Sequence, residues 1–156
     1  MRITLEDVST RNWQQIVELA VAPHERDFVA SNAYSLAESK YEPAAIPKAI
    51  VADGIPVGFL MYDASGGVPP RYHLYRFMID ERHRNRGYGR SALGLLIDQI
   101  ARAHETARLS VCYEPENQTA RKLYLLFGFV EIGVDEDGEM IAERLVEPVS
   151  PGSNNP

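Results

Sequence analysis

Two spacings divide the chain, one in which apolar residues recur every second position and one in which they recur every third or fourth. The stretch RITLEDV alternates and predicts a first strand. Ser9 or Thr10 can cap a following helix, whose apolar positions Trp13, Ile16, Val17 and Ala20 fall at i, i+3, i+4 and i+7 and which Pro23 closes. Glu25 to Lys40 reads as two short helical pieces before the interruptions at Pro43 and Pro47. Three strands follow, KAIVAD, VGFLMYD and YHLYRFMID, separated by the turns GIP and ASGGVPP. A longer helix runs from about Gly87 to His104 with Leu93, Leu96, Ile97, Ile100 and Ala101 on one face. Then come a strand (ARLSVCY), a helix (ENQTARKLYLLF) and a terminal hairpin, FVEIGV and EMIAERLV around DEDG. This order predicts one α/β domain over residues 1–146, with a mixed, partly parallel central sheet of about seven strands flanked by helices. Parallel pairing is expected wherever a helix separates consecutive strands. The last stretch, 147–156 (EPVSPGSNNP), has nothing to bury and is expected to be disordered.

Composition narrows the function classes. With 156 residues, 45% apolar and 24% charged, the chain reads as one soluble globular domain. No apolar run approaches the roughly 18 to 20 residues of a membrane span, and MRITLEDVST lacks the apolar core of a signal peptide, so a cytoplasmic protein without a membrane partner is expected. The single cysteine, Cys112, sits in LSVCY like a buried structural thiol and has no partner for an internal disulfide. A net charge of −6 argues against nucleic acid as a partner. Arg82, Arg84, Arg86 and Arg90 contribute +4, so the remainder carries −6 − 4 = −10. One basic loop stands against an acidic remainder that attracts cations.

That loop, RHRNRGYGRSALGLLI, leaves a strand and opens a helix. Unpaired N–H groups at a helix start and the helix dipole favour an anion. Gly87 and Gly89 let the backbone approach it closely, and arginines can meet phosphate with two hydrogen bonds. A Walker loop is excluded by the Gly89-Arg90-Ser91 ending. The dinucleotide fingerprint begins at Gly87 and Gly89 but has Ala92 in third place, and no strand ending in an acid follows about 20 residues on. The remaining chemical reading is a pyrophosphate cradle.

Arg84-Asn85-Arg86-Gly87-Tyr88-Gly89 resembles the R/Q-x-x-G-x-G/A signature of the GNAT (Gcn5-related N-acetyltransferase) superfamily. ENQTARKLYLLFGF is similar to that family's second motif, matching at Asn117, Ala120, Leu123, Tyr124, Gly128 and Phe129. The resemblance implies acetyl-CoA as cofactor. It implies that Arg84, Asn85, Arg86, Gly87, Tyr88, Gly89 and Arg90 hold the pyrophosphate and that the edge Phe77, Met78, Ile79 pairs with the pantetheine arm. By the same resemblance Asn117 bonds the pantetheine amides, which leaves it free to cap its helix as well; Lys122, with Arg121, is a candidate for the phosphates. The family often dimerises, so a homodimer is a further expectation.

Acetyl transfer to an amine requires a neutral nitrogen, a polarised carbonyl and a proton for the leaving thiolate. An alkylamine with a pKa near 10.4 is almost fully charged at neutral pH, so a proton acceptor is needed. The resemblance assigns Tyr124 as general acid, and a phenol of pKa about 10 is protonated at neutral pH and able to donate. A backbone N–H at Ile79 or its neighbour would polarise the carbonyl. Glu81, Glu114, Glu42 and a water chain all stay open as the base.

For the acceptor, HERDFVASNAYSLAESKYEP resembles the bacterial spermine/spermidine acetyltransferase branch at Phe28, Val29, Ala30, Asn32, Ser35, Leu36 and Ala37. Glu25, Asp27, Glu38 and Glu42 with Tyr34 and Tyr41 offer carboxylates and aromatic faces suited to a small-molecule polycation. The substrate-binding candidates are therefore Glu25, Phe28, Asn32, Tyr41 and Glu42. A protein amine, an aminoglycoside or a non-catalytic acyl-CoA sensor remain alternatives.

Overall fold

Two strands in the middle of the chain are apolar at nearly every position, and each therefore needs cover on both faces. These are β2 (Ala45–Ala52) and β3 (Ile55–Ser65). Ile50, Ala52, Leu60 and Tyr62 point into one core, while Ala49, Val51, Phe59 and Met61 point into another. The structure, a computed structural model, describes residues 1–148, so from residue 149 onward the tail lies outside the described residues.

Around this pair stand β1 (Ile3–Asp7), β4 (Arg71–Ile79), β5 (Ala107–Tyr113), β6 (Val130–Val134) and β7 (Met140–Val146). The seven strands form one sheet in the order β1-β2-β3-β4-β5-β7-β6. Helices α3 (Tyr88–Ala103) and α4 (Gln118–Leu126) cover the face carrying Leu93, Leu96, Leu109, Val111, Tyr124 and Phe129. Helices α1 (Trp13–Glu18) and α2 (Asn32–Tyr41) cover the other face, over Ile16, Leu19, Phe59, Met61 and Met78. No helix among the described residues is long and apolar enough to cross a membrane.

The mixed α/β fold stands as expected, with a narrower parallel part. Among the described residues only β4 and β5 pair in parallel; β1 and β2 are antiparallel although two helices separate them, and β5 pairs antiparallel with β7. The hairpin β6–β7 enters the sheet through β7, which removes the direct β5–β6 contact that a helix crossover would otherwise make. The start of α1 also differs. Asn12 is the residue ahead of the helix, and Ser9 instead accepts the Trp13 N–H with its carbonyl at 3.0 Å. Trp13 and Ala20 are exposed, because α1 ends at Glu18 and buries chiefly Ile16. Pro47 interrupts nothing. It lies inside β2 opposite Met61, one residue beyond the last β1 pairing at Lys48, where no neighbour needs its missing N–H.

One departure from regular pairing positions the site. β4 pairs with β5 only from Arg71 to Leu74, opposite Arg108 to Val111. Beyond that, β4 stays with β3 as far as Ile79 and β5 stays with β7 as far as Tyr113. The two strands therefore diverge, and backbone groups of Tyr75–Ile79 face the opening without a strand partner. Gly58 holds β4 on the β3 side: a Cβ there would stand 2.5 Å from the Met78 carbonyl oxygen and 2.8 Å from Ile79 Cδ1.

Candidate active site

The N-terminus of α3 lies at the mouth of the opening. Gly87 sits ahead of the helix in the left-handed region, φ 78°, and no side chain caps it. The first helical bond runs from the Ser91 N–H to the Gly87 carbonyl at 3.0 Å. The N–H groups of Tyr88, Gly89 and Arg90 consequently point outward with the positive end of a sixteen-residue helix dipole behind them. A Cβ on Gly89 would lie 3.7 Å from Phe77 and Ile79 side chains and 3.9 Å from Leu123, so the loop, the β4 edge and α4 converge at this one residue. An uncapped helix start beside an unpaired strand edge suits a long, phosphate-bearing ligand that also carries amides.

Individual side chains of the loop divide. Arg86 and Arg90 are exposed at the mouth, as is Asn85, which takes φ 60° to make the turn. Tyr88 is buried in the core under α3, leaving only its backbone for a ligand. Arg84 turns away from the helix start and meets Glu25, with Nη1 donating to Oε1 at 2.6 Å and Nη2 donating to Oε2. Two residues expected at opposite ends of the site thus bind each other. Asp80, which sequence reasoning missed, anchors the same loop: buried, it accepts from the Ala20 N–H at 3.0 Å and from the Arg82 N–H and Nε at 3.0 and 2.8 Å. Burial works against its ionisation, but these hydrogen bonds hold its carboxyl down at about 2.

Along β4, Phe77 and Ile79 are half-buried against the α3 side, and Met78 is buried on the α1 side. Asn117 caps α4, its Oδ1 accepting the Ala120 N–H at 3.1 Å. Arg121 is tied back to Glu131 at 2.8 Å, while Lys122 is exposed. Tyr124 is 3% exposed, with Tyr113 and Phe129 rings 5.4 and 5.6 Å from its own. Burial, and then the neighbouring Cys112 and Tyr113, push its phenol well above the ordinary value. Among the described residues its hydroxyl has no hydrogen-bond partner.

On the opposite side of the opening is a cleft of about 520 Å³. Glu38 borders it from α2 and Glu42 from just past that helix, Asp63 from β3, Glu114 from just past β5, and Asp135, Asp137 and Glu139 from the β6–β7 turn. Seven carboxylates therefore face Arg76 and His73. Burial pushes the His73 imidazole down, which favours its neutral form, and its Nδ1 lies 2.6 Å from Ser110 Oγ. Its ring stacks on Tyr75 at 6.0 Å. Cys112 lines the cleft, and burial and then Glu139 push its thiol up, so it is not a thiolate nucleophile.

The acceptor residues expected from sequence reach this cleft unevenly. Glu42 lines it, and Phe28 lines a smaller adjoining cavity of about 140 Å³ that shares Tyr75, Arg76, Glu114 and Glu139. Asn32 is 4% exposed and donates through Nδ2 to the Ile16 carbonyl at 2.8 Å, joining α2 to α1. Tyr41 is 86% exposed and lines neither cavity. Glu25 is held by Arg84. Missing from sequence reasoning were Asp63, Asp135, Asp137 and Glu139, contributed by segments far apart in the chain; only the acidic DEDGE run signalled three of them.

A family model described as "Acetyltransferase (GNAT) family" matches residues 11–129. The spermine/spermidine N(1)-acetyltransferase of Bacillus subtilis is 30% identical over 151 residues, covering 90% of this chain and 97% of the relative. Among solved structures, the ribosomal-protein-S18-alanine N-acetyltransferase of Escherichia coli superposes with a TM-score of 0.68 at 19% identity, over 99% of both chains. RimJ of Mycobacterium smegmatis, in complex with CoA-disulfide, superposes with a TM-score of 0.72 at 18% identity, over 92% of this chain and 81% of that one.

Proposed function

The chain belongs to the GNAT acetyltransferase family and is an acetyl-CoA-dependent N-acetyltransferase, and we propose that its acceptor is a polyamine such as spermidine or spermine. One observation carries this reading: the cleft beside the β4–β5 opening is bordered by seven carboxylates, against one arginine and a histidine whose burial favours the neutral form. A flexible polycation gains from every carboxylate it passes, whereas a monoamine gains from one. The Bacillus relative, named as a spermine/spermidine N(1)-acetyltransferase, supports the same acceptor.

The coenzyme, when bound, supplies an acetyl thioester. The α3 start, through the N–H groups of Tyr88, Gly89 and Arg90, binds its phosphates, with Arg86 and Arg90 adding charge and Lys122 within the same basic region. The β4 edge, Phe77 to Ile79, holds the arm by backbone pairing, and Asn117 is the expected side-chain partner of its amides. A backbone N–H near Ile79 orients the carbonyl and stabilises charge on its oxygen. Tyr124 is the proton donor to the departing sulfur. Its buried hydroxyl remains protonated at neutral pH because burial disfavours the phenolate, and it is not committed to another partner.

The test is thiol release from acetyl-CoA with spermidine, spermine, a lysine peptide and an aminoglycoside at matched concentrations. Saturation at low polyamine concentration with far slower release for the others is the expected result. Preference for the peptide or the aminoglycoside would reassign the acceptor and leave the family chemistry in place.

A further inference from the structure

We propose that Glu114 takes the proton from the attacking amine, which makes it a catalytic residue of the acetyl transfer. The inference rests on acetyl transfer to an amine and not on which amine is the acceptor.

Chain position places Glu114 beside the opening. Leu74 of β4 lies opposite Val111 of β5, the last pair before the strands part. Glu114 follows Tyr113, the last residue of β5, and borders the cleft together with Tyr75 and Arg76 of the unpaired β4 edge. His73 borders the cleft as well, but its Nδ1 is engaged by Ser110 Oγ at 2.6 Å. Glu42 follows the C-terminal end of α2 and Glu81 stands on the exposed turn after β4; of the three glutamates, Glu114 directly follows β5 and borders both cavities.

The two sides of the opening separate the proton roles. The Tyr113 ring goes to the α4 side and meets Tyr124. Cys112 and Glu114, on either side of it in the chain, line the cleft, and Glu114 also lines the adjoining cavity bordered by Phe28. The proposed proton donor and acceptor thus stand on opposite faces of the opening. Among the described residues the Glu114 carboxylate has no hydrogen bond and no cation partner; only its backbone carbonyl is used, by the Asn117 N–H at 2.9 Å.

The charged and titratable groups that border its cavities or act on it are Asp135, Asp137 and Glu139 from the β6–β7 turn, His73, Tyr75 and Arg76 from β4, Asp63 from β3, Cys112 from β5, Glu38 of α2 with Glu42 at its end, Asp27 ahead of α2, and Glu116 two residues along the chain. The Arg76 guanidinium is already committed to Glu38 at 3.1 Å and to the Tyr75 carbonyl at 3.2 Å. Burial, then Glu139, Glu116 and Asp135, push the Glu114 carboxyl above its ordinary value. A carboxylate made more basic accepts a proton from an ammonium group more readily, and activity is lost as pH falls through that raised value.

The step balances. An ammonium proton moves to a Glu114 carboxylate oxygen and from there to solvent, and the freed nitrogen lone pair forms the N–C bond while the C–S bond breaks. The sulfur keeps that electron pair and takes the Tyr124 proton, and the second proton that the nitrogen sheds in becoming an amide restores the Tyr124 phenol, so the net release is one proton.

The experiment compares wild type with E114Q at saturating acetyl-CoA. One acceptor is the polyamine or alkylamine that the wild type turns over, charged at neutral pH; the other is trifluoroethylamine, whose nitrogen is already neutral there. E114Q should lower kcat by about 100-fold with the charged acceptor and by less than about 3-fold with the neutral one. An equal deficit with both, or a raised KM with kcat retained, would overturn the assignment. In the free protein the Glu114 carboxyl, followed by ¹³C NMR, should titrate above the ordinary glutamate range and at the acidic limb of kcat/KM. Titration elsewhere would overturn it too. Coenzyme A binding to E114Q, read by calorimetry, checks that the variant is folded. Wild-type protein that acetylates no amine at all would bring down the acetyl-transfer reading itself.

Discussion

Single residues here do their chemistry through what surrounds them. Tyr124, the proposed proton donor, carries an ordinary phenol, and burial between Tyr113 and Phe129 pushes its titration further above neutral. Tyr124→Phe removes one oxygen that has no protein partner, so packing should hold and the thermal midpoint should stay within a few degrees. Turnover should fall by about 100-fold, the usual scale for a lost general acid, with coenzyme affinity kept within a few-fold. Unchanged turnover in a steady-state assay would remove the phenol from the reaction. Arg84 illustrates the reverse case. Its place in the signature motif pointed to phosphate, yet its guanidinium is satisfied by Glu25, a residue 59 positions away.

At the scale of elements, the site is a fault in a sheet. β4 leaves β5 after Leu74 and exposes its edge, while β3 lies tightly against the same strand at Gly58. Gly58→Ala should displace the Met78 carbonyl and the residues after it. We expect a loss of about 1–3 kcal/mol, the usual cost of forcing extra atoms into a packed site, together with a raised KM for acetyl-CoA. Denaturant unfolding and coenzyme saturation curves measure the two, and an unchanged KM would show that the edge tolerates the shift. Asp80 fixes the next element in the series, bolting the loop before α3 to Ala20 so that the helix start faces the opening.

The molecule as a whole is electrically two-sided, as its charge distribution suggested: a basic helix mouth on one side of the opening and an acidic cleft on the other. Exposed charges are screened over about 8 Å at physiological ionic strength, so attraction of a polycation should weaken with salt. Raising sodium chloride from about 0.02 to 0.3 M should increase the KM for spermidine by about three- to ten-fold more than the KM for a monoamine. Equal salt responses would mean that the cleft contributes no multivalent attraction.

The sequence by itself determined the element order and the family and marked the loop proposed to hold the cofactor, because each is written in local spacing. Period-two and period-four patterns mark strands and helices, and Gly87 and Gly89 with the Asn117-to-Phe129 run are contiguous motifs. Only the tertiary structure decided where the parallel pairing stops, that Arg84 meets Glu25 and Asn32 meets Ile16, and that carboxylates from α2, β3, the end of β5 and the β6–β7 turn border one cleft. Those facts depend on which surfaces the sheet brings together. A polar residue on an exposed-looking helix face carries the same sequence signal whether it points to water, to a neighbouring backbone or to a substrate.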